Sequence, residues 1–338
     1  MTAPAQGSQR LFAVDALKGF AITCVVMGHA VLRNASHPAD NSLYLLLTAF
    51  EMPLFMFLSG YVLPGRVRGS LPAWLRKRAV RLLVPFFAWH AVFFLSLRAS
   101  TLGDQPPVEL LSGLAGYLGK TIASPTAGLW YLPSLLLCSI ALAVLFPLRT
   151  RPLLMAAVGW LGFAALLWLR DRLGIDADFG LLKTLTYWIF FAAGYAWGEW
   201  KRTLEPGRPL MRWAPLLLYP LFAVPVLRAM PSFGLYGNSL AKLIPGLPGI
   251  GFSAALLKFA EPLARKVRLD SLGRLTLGVY CSQWLFLRVH FAEGVPGVLA
   301  TFAFTIAAST ALTWAITKVP MVRGVLLGEW ARPRSTAA

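Results

Sequence analysis

Residues 14–32 read VDALKGFAITCVVMGHAVL. The run is apolar enough for a membrane, yet it carries Asp15, Lys18 and His29. On an ideal helix, the fourteen steps from Asp15 to His29 end about 40° short of four full turns, so the two face nearly the same way. At 1.5 Å per residue they stand about 21 Å apart. An acid at one end of a bilayer helix and an imidazole toward the other, on one stripe, is costly in lipid. Such residues by default mark a functional site.

The rest of the chain is of the same kind. Of 338 residues, 57% are apolar and 14% charged, with mean hydropathy +0.63. Soluble domains carry about 25% charged residues. These values point to an all-α integral membrane protein. The start, MTAPAQGSQR, lacks the basic, apolar and small-residue order of a cleaved leader and is read as part of the mature chain. Cys24, Cys138 and Cys281 are widely spaced within apolar runs and read as small buried hydrophobes, with no metal or redox spacing. The net charge of +18 does not indicate nucleic acid, because the cations fall between apolar runs and form no basic arm.

A membrane helix needs about 20 mostly apolar residues. Ten segments qualify: 12–33, 43–64, 79–98, 129–148, 152–169, 181–200, 211–228, 239–260, 272–291 and 296–317. Prolines interrupt the seventh and eighth, which suits kinked helices in a bundle. With the N-terminus inside, 23 of the 32 Lys and Arg fall on the cytoplasmic side and nine outside. This bias supports about ten transmembrane helices with both termini cytoplasmic. The division is then a tail at 1–11, a transmembrane domain at 12–318 and a tail at 319–338. The piece 110–118, in the longest outside loop, is too short to span and is expected to lie at the interface or to dip in.

Several side chains could carry chemistry, each with a plainer reading beside it. His29 can move a proton to and from a hydroxyl, or it can be a packed polar residue with a neighbouring partner. Arg78 and Arg81 are three apart, hence neighbours on one helix face. They suit a phosphate clamp, because guanidinium forks match phosphate oxygens, or simple topology marking and lipid contact. Ser59 and Gly60 form a small notch that suits close helix packing or a site. Glu51 faces either the headgroups or a cavity near His29. Trp130 and Tyr131 suit an interface belt. Tyr280, Ser282 and Gln283 either line a cavity or bridge helices.

These residues fall in a recognisable order. Arg10, Asp15, Leu17, Lys18 and Gly19 with His29, then FEMPLFMFLSGY, Arg78-x-x-Arg81 with Pro85, LWYL and GVYCSQ resemble the landmarks of acyltransferase family 3 over nearly the whole chain. FEMPLFMFLSGY is most similar to the polysaccharide O-acetylase branch. The resemblance implies a ten-helix, multi-pass enzyme of the bacterial inner membrane. It implies transfer of an acyl group, most often acetyl from acetyl-CoA as co-substrate, onto hydroxyls of extracytoplasmic glycans or related acceptors, with no bound cofactor and no metal. It further implies that His29 is essential, that Arg78 and Arg81 handle the donor, and that Arg10, Asp15 and Lys18 occupy charged positions at the cytoplasmic mouth. Position 18 holds Lys where the family usually has Arg. Position 51 holds Glu where related sugar O-acetylases often have His, and position 283 holds Gln where many members have His.

The resulting expectation is an O-acyltransferase. Catalysis is assigned to His29 with Asp15, and acyl-CoA binding to Arg78, Arg81, Arg10 and Lys18. Acceptor binding, to a glycan or lipid-linked sugar, is assigned to Glu51, Ser59, Trp130, Tyr280 and Gln283. The partners are acyl-CoA, that acceptor and membrane lipids. The competing expectation is a transporter or flippase for a lipid-linked or small solute, since kinked spans with buried charge suit carriers generally.

Overall fold

A computed structural model describes residues 6–64, 70–99, 106–125, 128–200, 209–229, 234–289 and 291–330, with side chains left undescribed at 6–11, 39 and 209–218. Among the described residues the chain is helical and contains no strand. The α-helices are α1 (Gln6–Asn34), α2 (Ser42–Tyr61), α3 (Leu71–Leu97), α4 (Pro107–Ala123), α5 (Tyr131–Val144), α6 (Pro152–Arg172), α7 (Leu181–Glu199), α8 (Pro209–Ala229), α9 (Gly234–Ala241), α10 (Leu243–Phe259), α11 (Glu261–Lys266), α12 (Leu269–Arg274), α13 (Thr276–Phe286), α14 (Gly294–Lys318) and α15 (Pro320–Leu327).

Every one of the ten expected segments contains a helix, but six helices among the described residues combine the length and hydropathy needed to cross a membrane. They are Phe12–Asn34, Ser42–Tyr61, Leu71–Leu97, Pro152–Arg172, Gly234–Phe259 and Gly294–Lys318. The remaining four segments differ for local reasons. α5 is short, α8 is described with side chains only from Tyr219, and the ninth segment is broken at Leu275 between α12 and α13. α7 is long enough, but Thr184, Thr186, Tyr187, Trp188, Tyr195 and Trp197 lower its hydropathy. Those polar and aromatic groups are tolerated because α7 is buried in protein.

Burial sorts the helices. The apolar windows of α1 and α2 are 67% buried, those of α6 and α14 only 22%, so α1 and α2 form the centre and α6 and α14 the rim. Leu161, Leu166 and Trp168 on α6, with Leu299, Phe304 and Trp314 on α14, are exposed. A contiguous apolar exterior of this kind belongs against lipid.

Glycine sets the two closest packings. Along α2 and α7, which run parallel, Gly194 abuts the Phe57 backbone, Gly198 the Tyr61 carbonyl, and Gly60 the Phe191 carbonyl and the Tyr195 amide. Small residues allow backbones to meet in this way, giving van der Waals contact where hydrophobic driving force is absent. The packing reading of the Ser59–Gly60 notch therefore fits Gly60. At the Asp15 end of α1, Gly19 rests on the Leu269 carbonyl and Gly273 on the Asp15 carbonyl, locking α1 to α12.

Two further attachments matter for the site. The His29 end of α1 is tied down by Arg33 Nε, which donates to the Leu287 carbonyl at 3.1 Å, and by Asn34 Nδ2, which donates to Thr301 Oγ1 at 3.1 Å. The apolar piece 110–118 lies within α4, whose Tyr117 packs on Phe94 and places its hydroxyl 3.3 Å from His90 Nδ1. After α14, α15 returns along α3, where Trp89 Nε1 donates to the Leu326 carbonyl at 2.9 Å.

Candidate active site

α1 is one unbroken helix with no internal proline, so Asp15 and His29 occupy its two halves as the spacing demands. His29 is only partly buried, while Gly28 and Ala30 on either side are buried. Its Nδ1 lies 3.1 Å from Gln283 Oε1. Its ring leans on Trp284, with centroids 4.6 Å apart and planes at 51°.

The Gln283 amide is itself oriented, because Nε2 donates to the Tyr280 carbonyl at 3.0 Å. The imidazole therefore meets an acceptor oxygen, and Nδ1 must carry the hydrogen. The lone pair then resides on Nε2, directed away from Gln283. A hydrogen bond to one ring nitrogen thus decides which nitrogen can act as base.

Glu51 is buried at 7% exposure and lies over Gly28. A Cβ at Gly28 would stand 3.4 Å from Glu51 Oε2, so the glycine makes room for the carboxyl at that turn of α1. Of the two positions open to Glu51, the structure occupies the interior one.

A polar chain leads from Gln283 toward α2. The Tyr280 hydroxyl donates to the Gly128 carbonyl at 2.7 Å and accepts the Tyr131 backbone N–H at 3.3 Å. The Tyr131 hydroxyl meets Ser59 Oγ at 2.6 Å. Gly128 has φ +88° and lies beneath the Trp284 indole, 2.6 Å from where a Cβ would be. Backbone conformation and space both require glycine there. Trp130 stacks on Tyr187, with centroids 5.2 Å apart and planes at 18°. The Lys183 ammonium stands 5.3 Å from the Trp130 ring centroid, within cation–π range.

Beside that stack, α7, α9 and the α9–α10 junction border an open cavity of about 290 Å³ lined by Lys183, Thr186, Tyr187, Asn238, Ser239 and Lys242, among others. Lys242 Nζ donates to the Thr48 carbonyl at 2.9 Å, one turn before Glu51. The cavity belongs to the His29 end of the bundle.

The opposite end holds the cations. Lys18 and Asp15 pair at 3.3 Å within their own helix, both partly exposed. Asp15 therefore does not join the group around His29. Arg78 Nε donates to Ser139 Oγ at 2.5 Å, which draws its side chain toward α5. Arg81 is exposed and points to Glu329 at 3.8 Å. The two arginines share a helix face but engage different partners. The Arg10 side chain lies outside the described residues.

The arrangement thus has a basic mouth at one end, an oriented imidazole deep toward the other, and a hydroxyl-rich chain between. Residues 11–318 match the acyltransferase domain family, family 3. The chain belongs to that family. The match runs from the foot of α1 to the end of α14, so the acyltransferase family covers the whole site. Two partial relatives are both called Nodulation protein NolL. The protein from Sinorhizobium fredii (strain NBRC 101917 / NGR234) is 34% identical over 93 residues, 26% of this chain and 25% of the relative. That from Mesorhizobium japonicum (strain LMG 29417 / CECT 9101 / MAFF 303099) is 34% identical over 92 residues, 25% of this chain and 24% of the relative. The matched stretch spans about a quarter of the length of these curated relatives. No solved structure matches the chain.

Sequence reasoning did not single out Ser139, Lys183 or Lys242, and gave Tyr131 only an interface-belt reading. Ser139 and Tyr131 meet Arg78 and Ser59, 61 and 72 residues away, contacts that no local pattern reveals. Lys183 and Lys242 did carry a signal. Lys242 sits in SLAKLIPG, a lysine among apolar residues at membrane depth, and the charge census absorbed both lysines as ordinary outside cations.

Proposed function

We propose that this membrane acyltransferase moves an acyl group, acetyl in the simplest case, from cytoplasmic acyl-CoA to a hydroxyl of an extracytoplasmic glycan or lipid-linked sugar. In this reading it sits in the bacterial inner membrane with ten crossings, and residues 12–318 form the transfer domain. The segments 1–11 and 319–338 face the cytoplasm. The observation that carries the reading is the Gln283-held tautomer of His29, with a basic Nε2 at the far end of a helix whose foot adjoins cations.

Arg78 and Arg81, with Arg10 and Lys18 nearby on α1, bind the donor phosphates. Asp15 holds Lys18 at this mouth and takes no part in proton transfer at His29. The pantetheine arm extends past Ser59 and Tyr131 and delivers the thioester near His29. The acceptor hydroxyl enters from the opposite side, against Glu51, Trp130 and Tyr280. His29 Nε2 takes the hydroxyl proton as the oxygen attacks the thioester carbonyl. The new C–O bond forms, the C–S bond breaks, and the departing thiolate of CoA recovers the proton from the imidazolium. The same lone pair also suits a route in which the acyl group rests on Nε2 first.

The test is acyl transfer in cells carrying His29→Ala, with glycan acetyl content read by NMR and membrane insertion checked by protease accessibility. Acetylation at the wild-type level in an inserted His29→Ala protein would sink the mechanism. Solute flux without any dependence on CoA would establish the carrier reading in its place.

A further inference from the structure

We infer that the cavity bordered by α7, α9 and the α9–α10 junction is a subsite for an acidic sugar, one that bears a carboxylate or phosphate and is bound by Lys183 and Lys242. The inference deepens the acyltransferase reading, on which the cavity's role as acceptor subsite rests.

Three observations lead there. First, the lining sets Lys183 and Lys242 together with no acid among the cavity-lining residues. Two ammonium groups facing one partly buried space repel, and an anion between them removes that cost. The Lys183 ammonium rests on the face of Trp130, a partner that carries no net charge. Lys242 gives one hydrogen to the Thr48 carbonyl and, with three donors, has others to offer.

Second, the rest of the lining suits a sugar ring. Thr186, Asn238 and Ser239 supply hydroxyl and amide groups. Among the described residues, Asn238 Oδ1 is a buried acceptor that lacks a hydrogen-bond partner, which a sugar hydroxyl would satisfy. Tyr187, backed by the Trp130 ring, contributes an aromatic wall. At about 290 Å³, the cavity lies at the small end of ligand clefts, which run from about 300 to 1,000 Å³. It fits one sugar unit better than a chain.

Third, the position is at the right end of the bundle. Lys242 is anchored one turn from Glu51, and Glu51 lies over Gly28, the residue before His29. An acidic ring held here would sit at the His29 end of α1.

The experiment uses the full-length protein in nanodiscs with radiolabelled acetyl-CoA and three probes: methyl glucoside, methyl glucuronide and methyl glucoside 6-phosphate. The charged probes are expected to be acetylated with lower KM than the neutral one. Lys183→Gln and Lys242→Gln should each raise the KM for charged probes by about tenfold, the range of a hydrogen bond to a charged group. The KM for the neutral probe should change much less than that for the charged probes, so that the charged-over-neutral preference falls. Lys183→Arg should retain the preference, and unchanged CoA binding certifies the fold. A preference for glucuronide alone or for the phosphate alone assigns the anion. Equal KM for all three probes, or lysine variants without effect, overturns the inference and leaves acyl transfer standing. If none of the probes is acetylated, saturation-transfer NMR of the same probes decides the cavity by itself. Charged-probe binding lost in the lysine variants supports the subsite, and its absence overturns it.

Discussion

Gln283→Leu removes the oxygen that receives the His29 Nδ1 hydrogen at 3.1 Å and keeps a side chain of similar bulk. The Tyr280 carbonyl loses the Gln283 amide donor but retains its helical one. The imidazole N–H is left facing an apolar group in a part-buried position. Stranding such a donor costs about 1–3 kcal/mol, and the ring escapes that cost by changing tautomer or rotating. Either response removes the lone pair from Nε2. If the whole cost falls on the competent state, turnover drops by about 5- to 140-fold. The acyl-CoA KM should not move, because the arginine mouth is untouched. The assay is the initial rate of label transfer from acetyl-CoA in isolated membranes, normalised to inserted protein. Gln283→His, which returns an acceptor nitrogen, should recover part of the loss. A Gln283→Leu enzyme at the wild-type rate, or one altered only in acyl-CoA KM, would refute the tautomer argument.

Other perturbations follow from the same geometry. Arg78→Lys should raise the KM for acyl-CoA more than Arg81→Lys does, because Arg78 alone is fixed by Ser139; competition with CoA measures both. Gly273→Ala drives a methyl into the Asp15 carbonyl, and overpacking of this kind costs about 1–3 kcal/mol or more, visible as a lowered melting temperature in detergent. Tyr131→Phe deletes the 2.6 Å bond to Ser59 and should cost about 1 kcal/mol of stability. Gly128→Ala meets both the Trp284 indole and a backbone at φ +88°. It should lower kcat by displacing Trp284 from His29, while donor binding persists.

The α1 stripe was legible because a proline-free helix obeys its own period, so Asp15 and His29 had to lie on one face at opposite ends. That 110–118 forms no long apolar span was also legible, since the apolar piece is too short, and it lies within the 17-residue helix α4. The tautomer of His29 was not. It depends on an amide 254 residues away and on that amide's bond to a carbonyl one turn back. Arg78 and Arg81 looked like a pair by spacing alone. Their divergence arises from Ser139 on α5 and Glu329 just after α15, two helices that both pack against α3. Gly60 and Gly19 illustrate the converse, where a residue quoted within a motif serves close backbone contact.

The parallel contact of α2 with α7 has a consequence for the transfer. Gly194 and Gly198 bring backbone against backbone, so the two helices cannot part without stripping both of their closest packing. Under the proposed function this pair serves as a fixed wall: donor and acceptor can meet beside α1 while α2 and α7 stay packed, so acyl exchange asks for no parting of the two helices.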